Sequence, residues 1–208
     1  KLVEGDLKLN PDPFKILWLG GFNNWADHET LFQGMELVMD KYSFVELVVT
    51  GGAISGVNED KYGAFEQLVQ NSVHKDRYIL MNWADSNQIP QIINQVQLGL
   101  NCDLDCLETW TGACNRINEM ISNGLPVISS DGREVTAFVK EHKLGTSYKS
   151  GDHIDMAFQI ELAINGQVKI WTQNCQNFED SYQDFEPLIK FCKNPSKKID
   201  SQPSRLAK

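Results

Sequence analysis

No apolar run in the sequence approaches the ~18 to 20 residues that a bilayer-spanning helix needs. The chain opens at Lys1 without Met and without a basic segment leading into an apolar one. No signal peptide is visible, and the chain reads as trimmed from a longer one. Basic charge is scarce: 19 Lys and Arg stand against 28 Asp and Glu, a net charge of -9. A protein that grips a phosphate backbone needs a basic face. The basic residues that do gather, Lys197, Lys198, Arg205 and Lys208, keep a terminus in water, so nucleic acid is not expected as a partner. Of the five cysteines, Cys102 and Cys106 flank a loop, Cys114, Cys175 and Cys192 lie elsewhere, and the four His are scattered. That is too few ligands in one place for a zinc site. Reduced thiols, a cytoplasmic location, no metal and no cofactor follow as expectations.

What the chain does have is a regular alternation of short apolar runs with helical patterns. Its length fits one domain with a real core, and 41% hydrophobic with 23% charged residues is ordinary for a soluble globular chain. Strands are predicted at Lys15–Leu19, Phe44–Val49, Tyr78–Leu80, Val96–Leu100, Val127–Ile128 and Thr146–Tyr148. Between them Leu31, Met35, Val38 and Tyr42 mark one amphipathic helix, with Asp27 as its N-cap. Tyr62, Phe65 and Val69 mark a second. Ile89, Ile92 and Ile93 follow a cap at Ser86. Cys114, Ile117 and Ile121 lie on a helix from about Gly112 to Asn123, stopped by Gly124 and Pro126. Asp131 and Asp152 are predicted to cap two more, and a last helical stretch covers about Asn177 to Cys192. This rhythm defines an α/β fold: a Rossmann-like parallel sheet of about six strands with helices on both faces, plus a C-terminal helix.

In such sheets ligands sit outside the carboxyl ends of the strands, so the loops there carry the candidates. The first, Gly20-Gly21-Phe22-Asn23-Asn24-Trp25-Ala26-Asp27, offers glycines for close approach and a helix N-terminus for an anion. It is not GxGxxG and has no acidic residue at the dinucleotide distance. It reads equally as a tight strand-to-helix turn, and Trp25 as covering a ligand or capping the core. The richest stretch is Asp105 to Val127, which places Glu108 in a loop and Glu119 on the following helix. Asn115 and Glu119 share the face opposite Ile117 and Ile121, with Arg116 beside them. Taken alone, that face is also a plain solvated one with an Arg116–Glu119 pair.

The sequence Glu119-Met120-Ile121-Ser122-Asn123-Gly124-Leu125-Pro126-Val127, followed by a strand ending in Asp131-Gly132, resembles the C-terminal (donor-binding) domain of GT-B-fold, family-4-type glycosyltransferases. The match is closer to a bacterial branch carrying Glu-Thr, then an Arg, an acidic helix residue and Gly-Leu-Pro-Val. Glu108, Thr109, Arg116 and Glu119 fit it in order, as do Gly20, Gly21, Trp25 and Asp27 in the first loop and Trp83 after the third strand. The resemblance runs from about Phe14 to Asp152. The chain departs from the family's pattern in two ways. The position eight before Glu119 is Thr111, with Glu108 eleven before, and no Lys or Arg lies between Ile16 and Asp40, where an Arg and Lys pair usually holds the diphosphate. Asp103-Leu104-Asp105 spells a DxD tripeptide, which this fold does not usually need.

The resemblance implies a nucleotide-diphospho-sugar donor. Glu119 would accept from the ribose hydroxyls, as a bidentate acceptor can. Glu108 or the Thr109–Gly112 loop would meet the sugar. Backbone N–H groups at Gly20, Gly21 and the start of the Gly112 helix would hold the diphosphate with Arg116, and Trp83 would lie near the base. Asn23 completes the candidate set. The expected activity is transfer of a hexosyl group, with retention, to a glycan or lipid-linked acceptor in polysaccharide biosynthesis. Residues 1–13 lead in, 14–174 form the donor-binding domain, 175–194 form a helix that is a candidate for contact with a missing N-terminal acceptor domain, and 195–208 are a polar tail. Without that domain the chain is expected to catalyse little, and a membrane-associated acceptor stays open. The alternative is a non-catalytic nucleotide- or partner-binding Rossmann-like module. Base, sugar and catalytic residues are not legible.

Overall fold

A computed structural model describes residues 13–53 and 60–182. The predicted lead-in, residues 54–59, the predicted helical stretch beyond Tyr182, Cys192 and the predicted polar tail lie outside the described residues.

Six strands form one fully parallel sheet: β1 (Phe14–Trp18), β2 (Val45–Val49), β3 (Tyr78–Leu80), β4 (Leu98–Asn101), β5 (Val127–Ser130) and β6 (Gly145–Tyr148), in the order β3-β2-β1-β4-β5-β6. The register runs Ile16↔Leu47 on one side of β1 and Ile16↔Leu98 on the other. The expected α/β fold with about six strands is the observed one. Strands β1 and β2 carry buried apolar side chains toward both faces because helices cover both faces. Along β1, Ile16 and Trp18 point into one core cluster and Leu17 and Leu19 into the other, the period of two that a pleated strand imposes.

The first core lies under α1 (His28–Lys41), α2 (Asp60–Asn71) and α7 (His153–Leu162), with Leu31, Met35, Phe65 and Met156 fully buried. The second lies under α3 (Ile89–Ile93), α5 (Asn115–Ser122) and α6 (Glu134–Glu141), with Ile92, Ile117 and Val139 fully buried. Helix α8 (Val168–Tyr182) runs past the starts of the strands and bridges the two layers, sending Trp171 into the first core and Cys175 into the second.

Asp27 caps α1 by accepting from Thr30 N, and Asp152 caps α7 by accepting from Asp155 N, both as the sequence predicts. Other local expectations change. Glu108 is not in a loop but on a short extra helix, α4 (Leu107–Thr111). Five residues are too few to show a helical period, so the sequence pattern is blind to it. Gly112 therefore closes α4 instead of opening the next helix, which starts at Asn115. Asp131 does not cap α6, whose N-cap is Arg133; its carboxylate takes the N–H of Ser150 instead. Gln88, not Ser86, precedes α3. The last helix begins at Val168 rather than near Asn177, joined to α7 by a wide turn, Ala163–Gln167, where Gly166 takes φ 124°.

Candidate functional site

Strand order reverses between β1 and β4: the chain leaves β1 to one side for β2 and to the other for β4. At such a switch point the loops beyond the strand ends part and leave a crevice. Its walls are the loop after β1 (Gly20–Asp27) and the segment after β4 (Cys102–Cys114).

The first wall is held from below and from both sides. Trp18 is buried, and its Nε1 donates to Gly20 O at 2.9 Å. Gly20 N donates to Thr50 Oγ1 at 3.1 Å, and Phe22 N to Gly52 O at 3.1 Å. Phe22 stacks on Trp18 with ring centres 5.0 Å apart. Gly51 has φ 94°, and a Cβ there would stand 2.4 Å from Gly20 C and 2.6 Å from Gly21 N. Only glycine lets β2 end against this loop. The space beside Gly20 itself is open. Asn23 is half-buried, and its Oδ1 has no protein partner. Trp25 is half-buried, and its carbonyl joins the two walls by accepting from Leu104 N at 2.7 Å; beside it Asp27 N donates to Cys102 O at 3.0 Å.

Sequence reasoning missed Lys61. From the first turn of α2 its ammonium donates to Asn24 O at 2.7 Å and Ala26 O at 2.8 Å. Burial pulls its pKa below the ordinary lysine value, against the raising effect of Asp27, Cys106 and Asp103. The sequence search for a cation stopped at Asp40; this one arrives 35 residues beyond Ala26 in the chain. The same cation, second to burial, pulls the pKa of His28 down.

The second wall rests on a buried ion pair that the sequence also does not reveal. Arg133 Nη2 donates to Asp103 Oδ2 at 2.5 Å, and Asn101 Nδ2 donates to the same oxygen at 2.8 Å. Asp103 is 1% exposed and Arg133 6%. Arg133 Nη1 reaches Gly112 O at 3.4 Å. The first Asp of the DxD tripeptide is thus a structural anchor. Asp105, the second, is exposed and accepts from Trp110 Nε1. Among the described residues no cluster of His, Cys, Asp and Glu suits a metal ion.

Thr109 is buried. Its hydroxyl donates toward Leu104 O and Cys106 O, and accepts from Cys106 N at 3.1 Å. It shapes the turn into α4, whereas Glu108 on that helix is exposed, and its carboxylate has no hydrogen bond among the described residues. Helix α5 starts at the crevice. Its N-cap, Cys114, makes no side-chain cap bond, unlike the Asp caps of α1 and α7; Ile117 N and Asn118 N donate to Cys114 O, which leaves the N–H groups of Asn115 and Arg116 and the helix dipole for an anion. The guanidinium of Arg116 lies over the Trp18 ring, its carbon 4.9 Å from the ring centre, and its Nη1 is buried without a partner. No Arg116–Glu119 ion pair forms among the described residues. Glu119 stays exposed, taking only Asn123 Nδ2 at 3.3 Å.

Across the two walls the structure links Trp25 to Leu104 and, through the Trp18 ring, Gly20 to Arg116; Glu119 makes no hydrogen bond or ion pair with the first wall among the described residues. Trp83 stands on the β3 side, half-exposed, with Nε1 3.3 Å from Ala53 O and near Gly52. No helix of the described residues is long and apolar enough to cross a membrane.

This is a Rossmann-like α/β architecture. Its particular form recurs in solved glycosyltransferase structures. The chain matches the C-terminal domain of a glycosyl transferase group 1 family protein (LpcC) from Francisella tularensis with a TM-score of 0.68 at 17% identity, covering 83% of this chain and 87% of that one. It matches HepE of Anabaena, solved with UDP and glucose, with a TM-score of 0.70 at 16% identity, covering 90% of this chain and 49% of that one. Sucrose-phosphate synthase from Thermosynechococcus elongatus matches with a TM-score of 0.68 at 17% identity, over 89% of this chain and 45% of that one. At these identities the likeness is one of fold, and the chain spans about half the length of the latter two. No protein-family model matches the chain, and no curated protein matches it.

Proposed function

We propose that the chain is the donor-binding domain of a glycosyltransferase and takes a nucleotide-diphospho-sugar in the β1/β4 crevice. The observation that carries this reading is the unpartnered, buried Nη1 of Arg116, whose guanidinium rests on Trp18, the same ring that holds Gly20 O, at the start of a helix whose N-cap side chain makes no capping bond. A diphosphate needs several N–H donors and one cation. The first loop has donors but no Lys or Arg side chain of its own, and Arg116 supplies the charge from the opposite wall. Glu119, one turn further along α5 and free of ion pairs, accepts from the ribose hydroxyls. Glu108 meets the sugar and Trp83 the base. The likeness to HepE, solved with UDP and glucose, supports the ligand class.

In transfer, charge develops on the leaving diphosphate as the bond from its oxygen to the anomeric carbon breaks. The α5 dipole and Arg116 are fixed in place before that charge appears, which is how preorganised donors lower a barrier. Transfer proceeds with retention to a glycan or lipid-linked acceptor. An acceptor-binding half completes the cleft, in keeping with the chain's covering about half of HepE; the chain alone binds donor weakly and does not turn it over. Calorimetric titration with UDP, GDP, ADP and dTDP tests the reading. One diphosphate should bind, and Glu119→Ala should lose most of that affinity. Unchanged affinity in Glu119→Ala would remove the ribose role, and no binding of any diphosphate by the chain or by a form extended at its N-terminus would remove the donor-domain reading.

A further inference from the structure

Large apolar side chains stand out of the surface on the segment after β4: Leu104 is 39% exposed, Leu107 67% and Trp110 56%. Trp110 presents a large apolar area with a directional ring face to solvent. Trp110 is also not free to fold away. Its Nε1 donates to Asp105 Oδ1 at 2.5 Å, and its Nε1 edge lies on Gly132, where a Cβ would stand 3.4 Å from Nε1 and 3.5 Å from Cδ1. Gly132 has φ 95° and so belongs to the turn after β5. The ring is therefore clamped between the ends of β4 and β5, at the same rim as the crevice but on its β5 side.

The groups around it are acceptors. Asp105 uses one oxygen on the indole N–H; Asp131, next to Gly132, uses one on Ser150 N at 3.0 Å. Each has a second oxygen free of hydrogen bonds among the described residues, as has the Glu108 carboxylate. A held π-face with carboxylate oxygens at its edge suits a ligand with polarised C–H groups on one side and hydroxyl donors around its rim. That description is a neutral pyranose: its C–H face carries partial positive charge toward the ring's negative face, and its hydroxyls donate to carboxylates. A phosphate or a uronate would be repelled by the same acids.

We propose that Trp110, with Asp105 and Asp131, forms a stacking platform for a pyranose. The platform deepens the donor-domain reading and rests on it for its place beside a sugar-handling crevice. The sugar comes either from the donor or from a free glycan, and the recognition chemistry is the same.

The test labels the chain with 5-fluorotryptophan and follows its five tryptophans (Trp18, Trp25, Trp83, Trp110 and Trp171) by fluorine NMR, with Trp110→Phe assigning the signal. The probes are methyl glycosides of glucose, galactose and mannose; UDP, GDP, ADP and dTDP; UDP-glucose, GDP-mannose, ADP-glucose and dTDP-glucose; and methylguanidinium. A Trp110 shift with a nucleotide sugar but not its bare diphosphate assigns the platform to the donor's sugar. A shift with a free glycoside assigns it to a glycan. In either case Trp110→Ala should weaken that probe about three- to tenfold, as loss of one aromatic contact does. A Trp110 signal unmoved by every sugar, or moved by methylguanidinium alone, overturns the proposal. Failure of the nucleotide reading looks different: Trp18 and Trp83 stay unmoved by all four diphosphates while Trp110 still answers a glycoside.

Discussion

The Arg116 guanidinium carbon lies 4.9 Å from the centre of the Trp18 ring, so that β1 and α5 meet through a cation over an indole. The same indole fixes Gly20 O through its Nε1. One buried ring therefore orients both the glycine loop and the cation facing it. Replacing Arg116 by Ala should reduce diphosphate affinity by about tenfold or more, the worth of one charge-assisted bond. Lys should restore only part, because an ammonium lacks the plane that rests on the ring. Calorimetry on both variants reads this directly, and equal affinity in Arg116→Ala would refute the role.

Asp103 and Arg133 predict a stability effect, not a chemical one. Both are nearly water-free, so removing one leaves the other's charge uncompensated. Asp103→Ala should cost about 3–5 kcal/mol in urea unfolding. The double variant Asp103→Leu with Arg133→Met should recover much of it, since two apolar side chains need no partners. If the double variant is as unstable as the single one, the pair is not what anchors this wall.

His28 gives a pH signature. Burial first, and Lys61 second, hold its pKa below 6.5 in the folded chain. As pH falls through 6.5 the unfolded chain takes up the proton before the folded one does, so this group subtracts stability progressively until pH passes below the lowered folded value. Above about 6.5 it has no effect. His28→Gln should therefore lose less stability than the parent between pH 7.5 and 5.5, measured as the difference in urea midpoint. Parallel pH profiles for the two would show that His28 is not held neutral.

The sheet and its order of elements were legible because apolar runs of four to six residues between helical periods leave few other solutions. The Asp27 and Asp152 caps were legible because they act within three residues of themselves. What the sequence hid is non-local. Helix α4 is too short for a period, and Thr109 turns out to be used up by Leu104 and Cys106 rather than left for a ligand. The Arg133–Asp103 contact spans 30 residues and Lys61–Ala26 spans 35. A charge census confined to one loop cannot find a cation delivered from the next helix. Of the candidate residues, Gly20 and Gly21 stood out as a glycine turn and Arg116 and Glu119 as one helix face read through the resemblance, all of them local patterns; their part in binding is the proposal that the titrations test. Trp110, in contrast, drew no attention as one apolar residue among several.

Lys61 yields a prediction with two independent readouts. Its ammonium is the side-chain donor on Asn24 O and Ala26 O, so it sets the curvature of the loop between Gly20 and Asp27. Lys61→Ala leaves those carbonyls to water. The global cost should be small, about 1 kcal/mol, as for an ordinary bond with solvent access. Locally, however, the amides of Phe22 and Ala26, bonded to Gly52 O and Asn23 O, should exchange with deuterium markedly faster while those of β1 do not change, because low-stability loops open without the core. The second readout is electrostatic: with the lysine's charge gone, the His28 pKa should rise toward 6.5, followed by NMR titration of its ring. Lys61→Met, which keeps the stem and removes the charge, should reproduce both effects. If it raises the His28 pKa but leaves loop exchange slow, packing of the stem and not the ammonium holds the loop. If neither readout moves, Lys61 is not what joins α2 to this wall.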